Sequence, residues 1–228
     1  MKLKVSEIFA SVQGEGTNAG KPAVFLRTAL CNLACSWCDT KYTWDWKNYD
    51  YKKEVKEMSI SEAKTEITKY GKNHLVITGG EPLLQQQGLT MLLEDLGSSY
   101  FVEIETNGTI KPENEILEYV NQWNVSPKLA NSNNKLDFYE KEECYHFFRK
   151  LKNSLFKYVV EDKNDLKEIE FFIQKYDLPR ERVLVMPQAS TRSELSLRDP
   201  IVKELGRIHH LGYSSRLHVE MWDNQRGK

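Results

Sequence analysis

Short apolar or β-branched runs recur along the chain: KVSEIF (4–9), AVFLRT (23–28), HLVIT (74–78), FVEIET (101–106), LFKYVV (155–160), RVLVM (182–186) and RLHVEM (216–221). Each has the length and composition of a strand. Between most of them, apolar residues repeat at helical spacing. Ala63, Ile67 and Tyr70 form one stripe; Leu89, Leu92, Leu93 and Leu96 form another, closed by Gly97. Leu166, Ile169, Phe172 and Ile173 make a third, and Ile201, Leu205, Ile208 and Leu211 a fourth, closed by Gly212. Strands alternating with helices predict an α/β fold with a largely parallel sheet. About seven strands fall short of a complete eight-fold barrel, so the pattern predicts an incomplete (β/α) barrel or an open sheet. In either, ligands belong on the loops that follow the strands' C-terminal ends.

Neither a repeat nor a Pro/Gly/Ser-rich linker interrupts this alternation, which predicts a single domain over residues 1–228. Apolar residues make up 40% and charged residues 29%, enough apolar material for a real core. The formal net charge of −1 excludes a global basic field for nucleic acid or anionic membrane. No apolar run approaches the roughly 20 residues that cross a bilayer. The opening MKLKVSEIFASVQGEG meets Glu7 and Gln13 before any long apolar stretch, unlike a signal peptide. The expectation is therefore a cytoplasmic protein whose thiols stay reduced, so that clustered cysteines read as metal ligands.

The segment 29–58 breaks the alternation. It holds Cys31, Cys35 and Cys38 and is rich in aromatics: Trp37, Tyr42, Trp44, Trp46, Tyr49 and Tyr51. A loop this long inside a compact domain is usually functional. The C-x3-C-x2-C spacing suits one site wrapped by one loop, and soft thiolates select zinc, copper(I) or iron–sulfur clusters. Zinc would need a fourth ligand, from Asp39 or one of the scattered histidines. A four-iron cluster on three cysteines would instead leave one iron open. The fourth cysteine, Cys144 in KEECYHFF, reads as a buried small hydrophobe.

C-x3-C-x2-C with an aromatic before the last cysteine resembles the signature of radical S-adenosylmethionine enzymes, and ITGGEPLLQ (77–85) resembles their GGE motif. The stretch FASVQGEGTNAGKPAVFLRTALCNLACSWCDT (9–40) is similar to the 7-carboxy-7-deazaguanine synthase family. The likeness continues through VEIETNGT (102–109), VSPK (125–128), KYVV (157–160), VLVMPQ (183–188) and RLHVEMWDNQRG (216–227), nearly the whole chain. It implies an incomplete barrel and a lyase that converts 6-carboxy-5,6,7,8-tetrahydropterin to 7-carboxy-7-deazaguanine, with ring contraction and loss of ammonia. The product would feed 7-deazapurine synthesis, of the queuosine or archaeosine type, for tRNA modification. A 4Fe–4S cluster, S-adenosylmethionine and magnesium are the implied cofactors. A flavodoxin- or ferredoxin-type reductant and a second copy of the chain, in a homodimer, are the implied partners.

Residue by residue, the resemblance implies that Cys31, Cys35 and Cys38 hold the cluster and that S-adenosylmethionine chelates the fourth iron. Trp37, Asp39, Gly80, Ser126, Pro127, Lys128, Met186, Pro187, Gln188 and Ala189 would bind that cofactor, as would the Cys38 segment itself. Val12, Gln13, Gly14 and Glu15 would meet the pterin edge, Thr78 would touch substrate, and Arg27 would bind the substrate carboxylate by a two-point contact. Thr40 would be a magnesium ligand, which suits a hard ion that takes few protein ligands. Glu103 and Glu105 share a strand face and read as paired polar residues on an exposed surface. His218 reads as a structural histidine, and Lys228 is given no role. Two rivals remain: a glycyl-radical enzyme activase, against which stands QGEG in place of a D-G-P-G-like stretch, and a non-catalytic iron–sulfur or zinc module. An electron-transfer module would normally seal its cluster with four cysteines.

Overall fold

The computed structural model describes residues 1–228. Nine strands form one sheet: β1 (Lys2–Val12), β2 (Pro22–Thr28), β3 (Lys56–Ser59), β4 (His74–Gly79), β5 (Phe101–Thr106), β6 (Gln122–Val125), β7 (Ser154–Val160), β8 (Val183–Pro187) and β9 (Gly212–Tyr213). Their spatial order is β3-β1-β2-β4-β5-β6-β7-β8-β9, with β3 and β9 at the two ends, so the barrel is open. β1 runs antiparallel to both β2 and β3. Every pairing from β2 through β9 is parallel. Parallel strands buried on both faces read as apolar runs, and HLVIT and RVLVM do so because Leu75, Val76, Ile77, Val183 and Val185 are fully buried.

Helices Ile60–Thr68, Gln86–Leu96, Asp165–Tyr176 and Arg192–Ile208 cover the outside, each near one of the expected stripes. The first and last start with complete capping boxes, Ser59 with Glu62 and Thr191 with Glu194, which satisfy otherwise orphaned backbone N–H groups. The last helix is rotated from its expected face. Leu195, Val202 and Gly206 pack inward, while Ile201 and Ile208 are exposed. Both stripes have helical period. The sheet selects the one with Gly206, because a Cβ there would already lie 3.1 Å from Val185.

Two further expectations are corrected. RLHVEM is not a strand but the helix Leu217–Trp222. Six residues of alternation cannot distinguish the two, and β9 already ends the sheet just before it. Glu103 and Glu105 do not lie on an exposed face. They point into the barrel, where Glu103 is fully buried and accepts hydrogen bonds from Gln13, Asn18 and Asn124 and pairs with His74 at 2.9 Å. Burial opposes its charge, yet His74 and these amides hold the carboxyl below its usual range.

Candidate active site

The strand ends surround a cavity of ≈ 210 Å³. Its wall carries Cys31, Cys35 and Cys38 together with Arg27, Thr78 and Glu105. Val12, Gln13, Gly14, Glu15, Trp37, Asp39, Thr40, Gly80, Ser126, Lys128 and Met186 also line it. Pro127, Pro187, Gln188 and Ala189 do not reach the wall. The last two act from behind it, with their carbonyls accepting from Arg198 and Arg216.

The start of the cluster loop is held by backbone hydrogen bonds. Leu30, directly before Cys31, has φ +77, a conformation that L residues rarely adopt. Its N–H donates to the Thr43 carbonyl at 2.7 Å, and its carbonyl accepts from Glu81 at 2.8 Å. Gly80 sits against that carbonyl so closely that a Cβ would lie 2.0 Å from it. The glycine-rich turn after β4 is thus zipped to the loop that carries the thiols. Glu81 is fully buried and accepts from Leu83 and Asn107 backbone N–H groups and from the Thr106 hydroxyl, so it ties the same turn to the end of β5. Burial raises its pKa.

Burial also pushes the Cys31 thiol up to about 12 and raises that of Cys35. Metal binding at these positions must therefore release protons.

Within the same cavity wall, sheet register sets a row. Arg27 pairs with Glu7 on one side and with Thr78 on the other. Arg27 Nε donates to Glu7 at 3.2 Å, and its guanidinium lies 5.7 Å from the Phe9 ring centre. Its two terminal nitrogens have no hydrogen-bond partner in the protein and line the cavity. The Thr78 hydroxyl donates to Glu105 at 2.8 Å. The amide of Gln13 is turned inward: its NH2 group donates to Glu103 and Glu105, and its oxygen accepts from the Glu15 N–H. Gln13 therefore braces the wall with its amide instead of offering it to a ligand.

The chemistry missed by sequence reasoning is a knot of charge at the barrel's centre. Lys157 pairs with Glu15 and lies 3.9 Å from Glu105, while Arg216 pairs with Asp39 and lies 3.2 Å from Glu15. Burial disfavours charge on Glu15, but Lys157 and Arg216 overcome it and hold the carboxyl far below its usual range. Asp39 behaves likewise, with Arg216 outweighing burial. Burial lowers the Lys157 pKa, but Glu15 and Glu105 more than reverse this. One cue was present in sequence: Lys157 is the single charge in the apolar run LFKYVV.

His218 also lines the cavity, and is not the satisfied structural histidine that was expected. Its ring nitrogens make no hydrogen bond, and the nearest carboxylate oxygen, on Glu15, is 3.9 Å away. The ring fills the space over Gly14, where a Cβ would lie 2.1 Å from Nδ1. Burial, reinforced by Arg216, lowers its pKa from 6.5 to about 4, so the imidazole is neutral at pH 7. The unfolded chain takes up this proton near pH 6.5 and the folded chain only near 4, so stability falls as pH falls between those values. Going from pH 7 to pH 5 is expected to cost up to about 2 kcal/mol through this group. Urea unfolding at the two pH values checks it: His218→Gln should remove most of the difference, and an equal difference in the variant would disprove the assignment.

The tail after this helix returns to the cavity. Arg226 pairs with Glu7 and Glu54 and stacks 3.8 Å from the Tyr42 ring centre, and Lys228 reaches the wall. No helix is long and apolar enough to cross a membrane.

Comparison with known proteins gives concordant results. The radical SAM superfamily matches residues 25–159. A 7-carboxy-7-deazaguanine synthase from Pyrobaculum aerophilum is 39% identical over 100% of this chain and 98% of its own length. The one from Clostridium acetobutylicum is 32% identical over 100% of both. Among solved structures, QueE from Escherichia coli superposes with a TM-score of 0.71 at 26% identity, covering 96% of this chain and 95% of that one. SuiB from Streptococcus suis, solved with bound S-adenosylmethionine, shares the fold, with a TM-score of 0.54 at 14% identity over 81% of this chain and 48% of its own.

Proposed function

We propose, from the premise that this chain belongs to the radical SAM superfamily and within it to the 7-carboxy-7-deazaguanine synthase family, that it converts 6-carboxy-5,6,7,8-tetrahydropterin to 7-carboxy-7-deazaguanine. The observation that carries the reading is that one cavity is lined both by the three thiols and by a guanidinium with two unpartnered nitrogens. The donor set fits an iron–sulfur cluster: three soft thiols, from one loop, line the same cavity. When bound, the cluster and S-adenosylmethionine supply the one-electron cleavage that starts the reaction.

The remaining work belongs to the chain's own side chains. Cys31, Cys35 and Cys38 hold the cluster, and Trp37, Asp39, Gly80, Ser126, Lys128 and Met186 line the space for the cofactor. Gln188 and Ala189 support that wall from behind, through their carbonyls, and Pro127 and Pro187 lie beside the lining residues Ser126, Lys128 and Met186. Arg27 takes the substrate carboxylate with its free edge, and Thr78 and Gly14 border the ring. Glu15, Lys157, Arg216 and Asp39 keep fixed charges around it, so little reorganisation is needed as charge shifts. His218 offers a neutral imidazole beside the charged groups Glu15, Asp39 and Arg216. The Thr40 hydroxyl faces the cavity beside Cys38, at 3.6 Å from its sulfur, where a magnesium ion shared with the substrate carboxylate would sit. A low-potential flavin or iron–sulfur carrier supplies electrons, and the chain acts as a homodimer. Light scattering on the purified protein tests the second point.

Anaerobic reconstitution with iron and sulfide should give about four irons per chain. Reduced protein, with S-adenosylmethionine and the carboxytetrahydropterin, should then form the deazaguanine acid. A verified cluster that cleaves S-adenosylmethionine but gives no such product would refute the assignment and return the activase to consideration. As it stands, the relatives leave neither the activase nor a bare cluster or zinc module with support.

A further inference from the structure

Each of the three thiols meets an N–H group, and for the two amides, Asn134 and Asn107, other bonds fix its direction. The Asn134 amide donates to Cys35 Sγ at 3.2 Å, while its oxygen accepts from the Ala34 N–H at 3.0 Å. The second bond sets which end of the amide faces the sulfur. Trp44 Nε1, a group that can only donate, points at Cys38 Sγ at 3.4 Å. Cys31 Sγ accepts from the Leu33 backbone N–H at 3.5 Å and has the Asn107 amide at 4.0 Å. The Asn107 oxygen accepts from the Thr109 N–H at 3.0 Å and from its hydroxyl at 2.6 Å, so its NH2 group is turned toward Asn32 and the sulfur. The donors come from three separate segments: Leu33 and Trp44 lie in the cluster loop, Asn107 follows β5, and Asn134 lies between β6 and β7.

Cys35 is buried and Cys31 and Cys38 are half-buried, so charge on the sulfurs is less screened by solvent than at the surface. Adding one electron increases the negative charge on a cluster. The positive ends of fixed N–H dipoles stabilise that added charge more than they stabilise the oxidised state. Donors held beforehand by bonds elsewhere need no reorganisation when the electron arrives.

We propose that Asn134, Trp44 and Asn107 are positioning residues that raise the reduction potential of the cluster, easing its one-electron reduction by a low-potential flavin or iron–sulfur carrier. This rests on the reading of Cys31, Cys35 and Cys38 as cluster ligands. None of the three supplies a ligand to the cluster. They act through the sulfurs.

The test is an EPR-monitored reductive titration of the reconstituted full chain, with dithionite and mediators as the electron source. Trp44→Phe keeps the ring and removes the N–H, and Asn134→Ala removes the amide. Each is expected to move the midpoint to a more negative value. For the two together, the ratio of reduced to oxidised cluster at a fixed potential should fall roughly tenfold, about 59 mV for one electron. Trp46→Phe, in the same loop but packed edge-on against Tyr51 at 5.0 Å, should leave the midpoint unchanged. A midpoint is read on the clusters present, so incomplete loading of a variant does not obscure it. An unchanged midpoint in the double variant, or an equal shift in Trp46→Phe, overturns this inference alone. A wild-type chain that takes up no cluster overturns the reading of the cysteines as well.

Discussion

Arg27→Ala is expected to weaken substrate binding about 100-fold while leaving cluster content and cleavage of S-adenosylmethionine measurable. Arg27 is placed for a carboxylate by three constraints. Its strand partner Glu7 holds Nε at 3.2 Å, Phe9 lies under the guanidinium, and Thr78 stands beside it in register. Glu7 occupies only one edge of the fork, which leaves the two terminal nitrogens facing the cavity. Hydrogen bonds to charged groups are worth roughly 1.5–3 kcal/mol, and about 1.4 kcal/mol is tenfold in affinity. Loss of a two-point contact therefore corresponds to the expected factor. Glu7 keeps Arg226 as a partner, so the variant does not strand a buried carboxylate. Arg27→Lys should recover only part of the affinity, because an ammonium restores the charge without the planar fork. Titration calorimetry with the pterin checks both variants, and wild-type affinity in Arg27→Ala would show that the carboxylate binds elsewhere.

Gly80→Ala is expected to cost more, because it acts on the joint between the barrel and the cluster loop. The added methyl would lie 2.0 Å from the Leu30 carbonyl oxygen, 2.5 Å from its carbon and 3.0 Å from Cys31 Cβ. Two of these are backbone atoms, so no side-chain rotation relieves the clash. Leu30 cannot retreat freely either, since Thr43 and Glu81 hold its peptide groups on both sides. Overpacking of this kind costs about 1–3 kcal/mol or more, and here the strain falls on the residue before the first thiol. The variant should unfold at lower urea concentration and retain no more than about a tenth of the wild-type iron after reconstitution, several times the effect of a surface substitution. Wild-type iron content together with an unchanged urea midpoint would mean that the two segments are not locked together as described.

The fold was readable for the runs that became neighbouring strands of the parallel sheet. FVEIET matches β5 residue for residue, and LFKYVV and HLVIT fall within one residue of β7 and β4. RLHVEM failed because six alternating residues fit a short helix equally well. Ile201 and Ile208 failed because the sheet chose the neighbouring stripe, where Gly206 allows close approach. Within the site, the cysteines, Arg27, Thr40, Thr78 and Gly80 were visible because their chemistry is written in contiguous motifs. Lys157, Arg216 and His218 were not assigned, because their partners Glu15 and Asp39 lie more than a hundred residues away.

By itself, the sequence determined what is local: the alternation that makes an α/β barrel, the three thiols on one loop, and the family likeness that those motifs carry. Only the tertiary structure decided which side chains share the cavity, which way the Gln13 amide turns, and that Glu103 is buried and paired. Those are questions of register, and shifting one parallel strand by a single residue exchanges its inward and outward faces. Which carboxylate meets which cation, and therefore which groups stay charged and which imidazole stays neutral, follows from that register and from the exclusion of water at the barrel's centre.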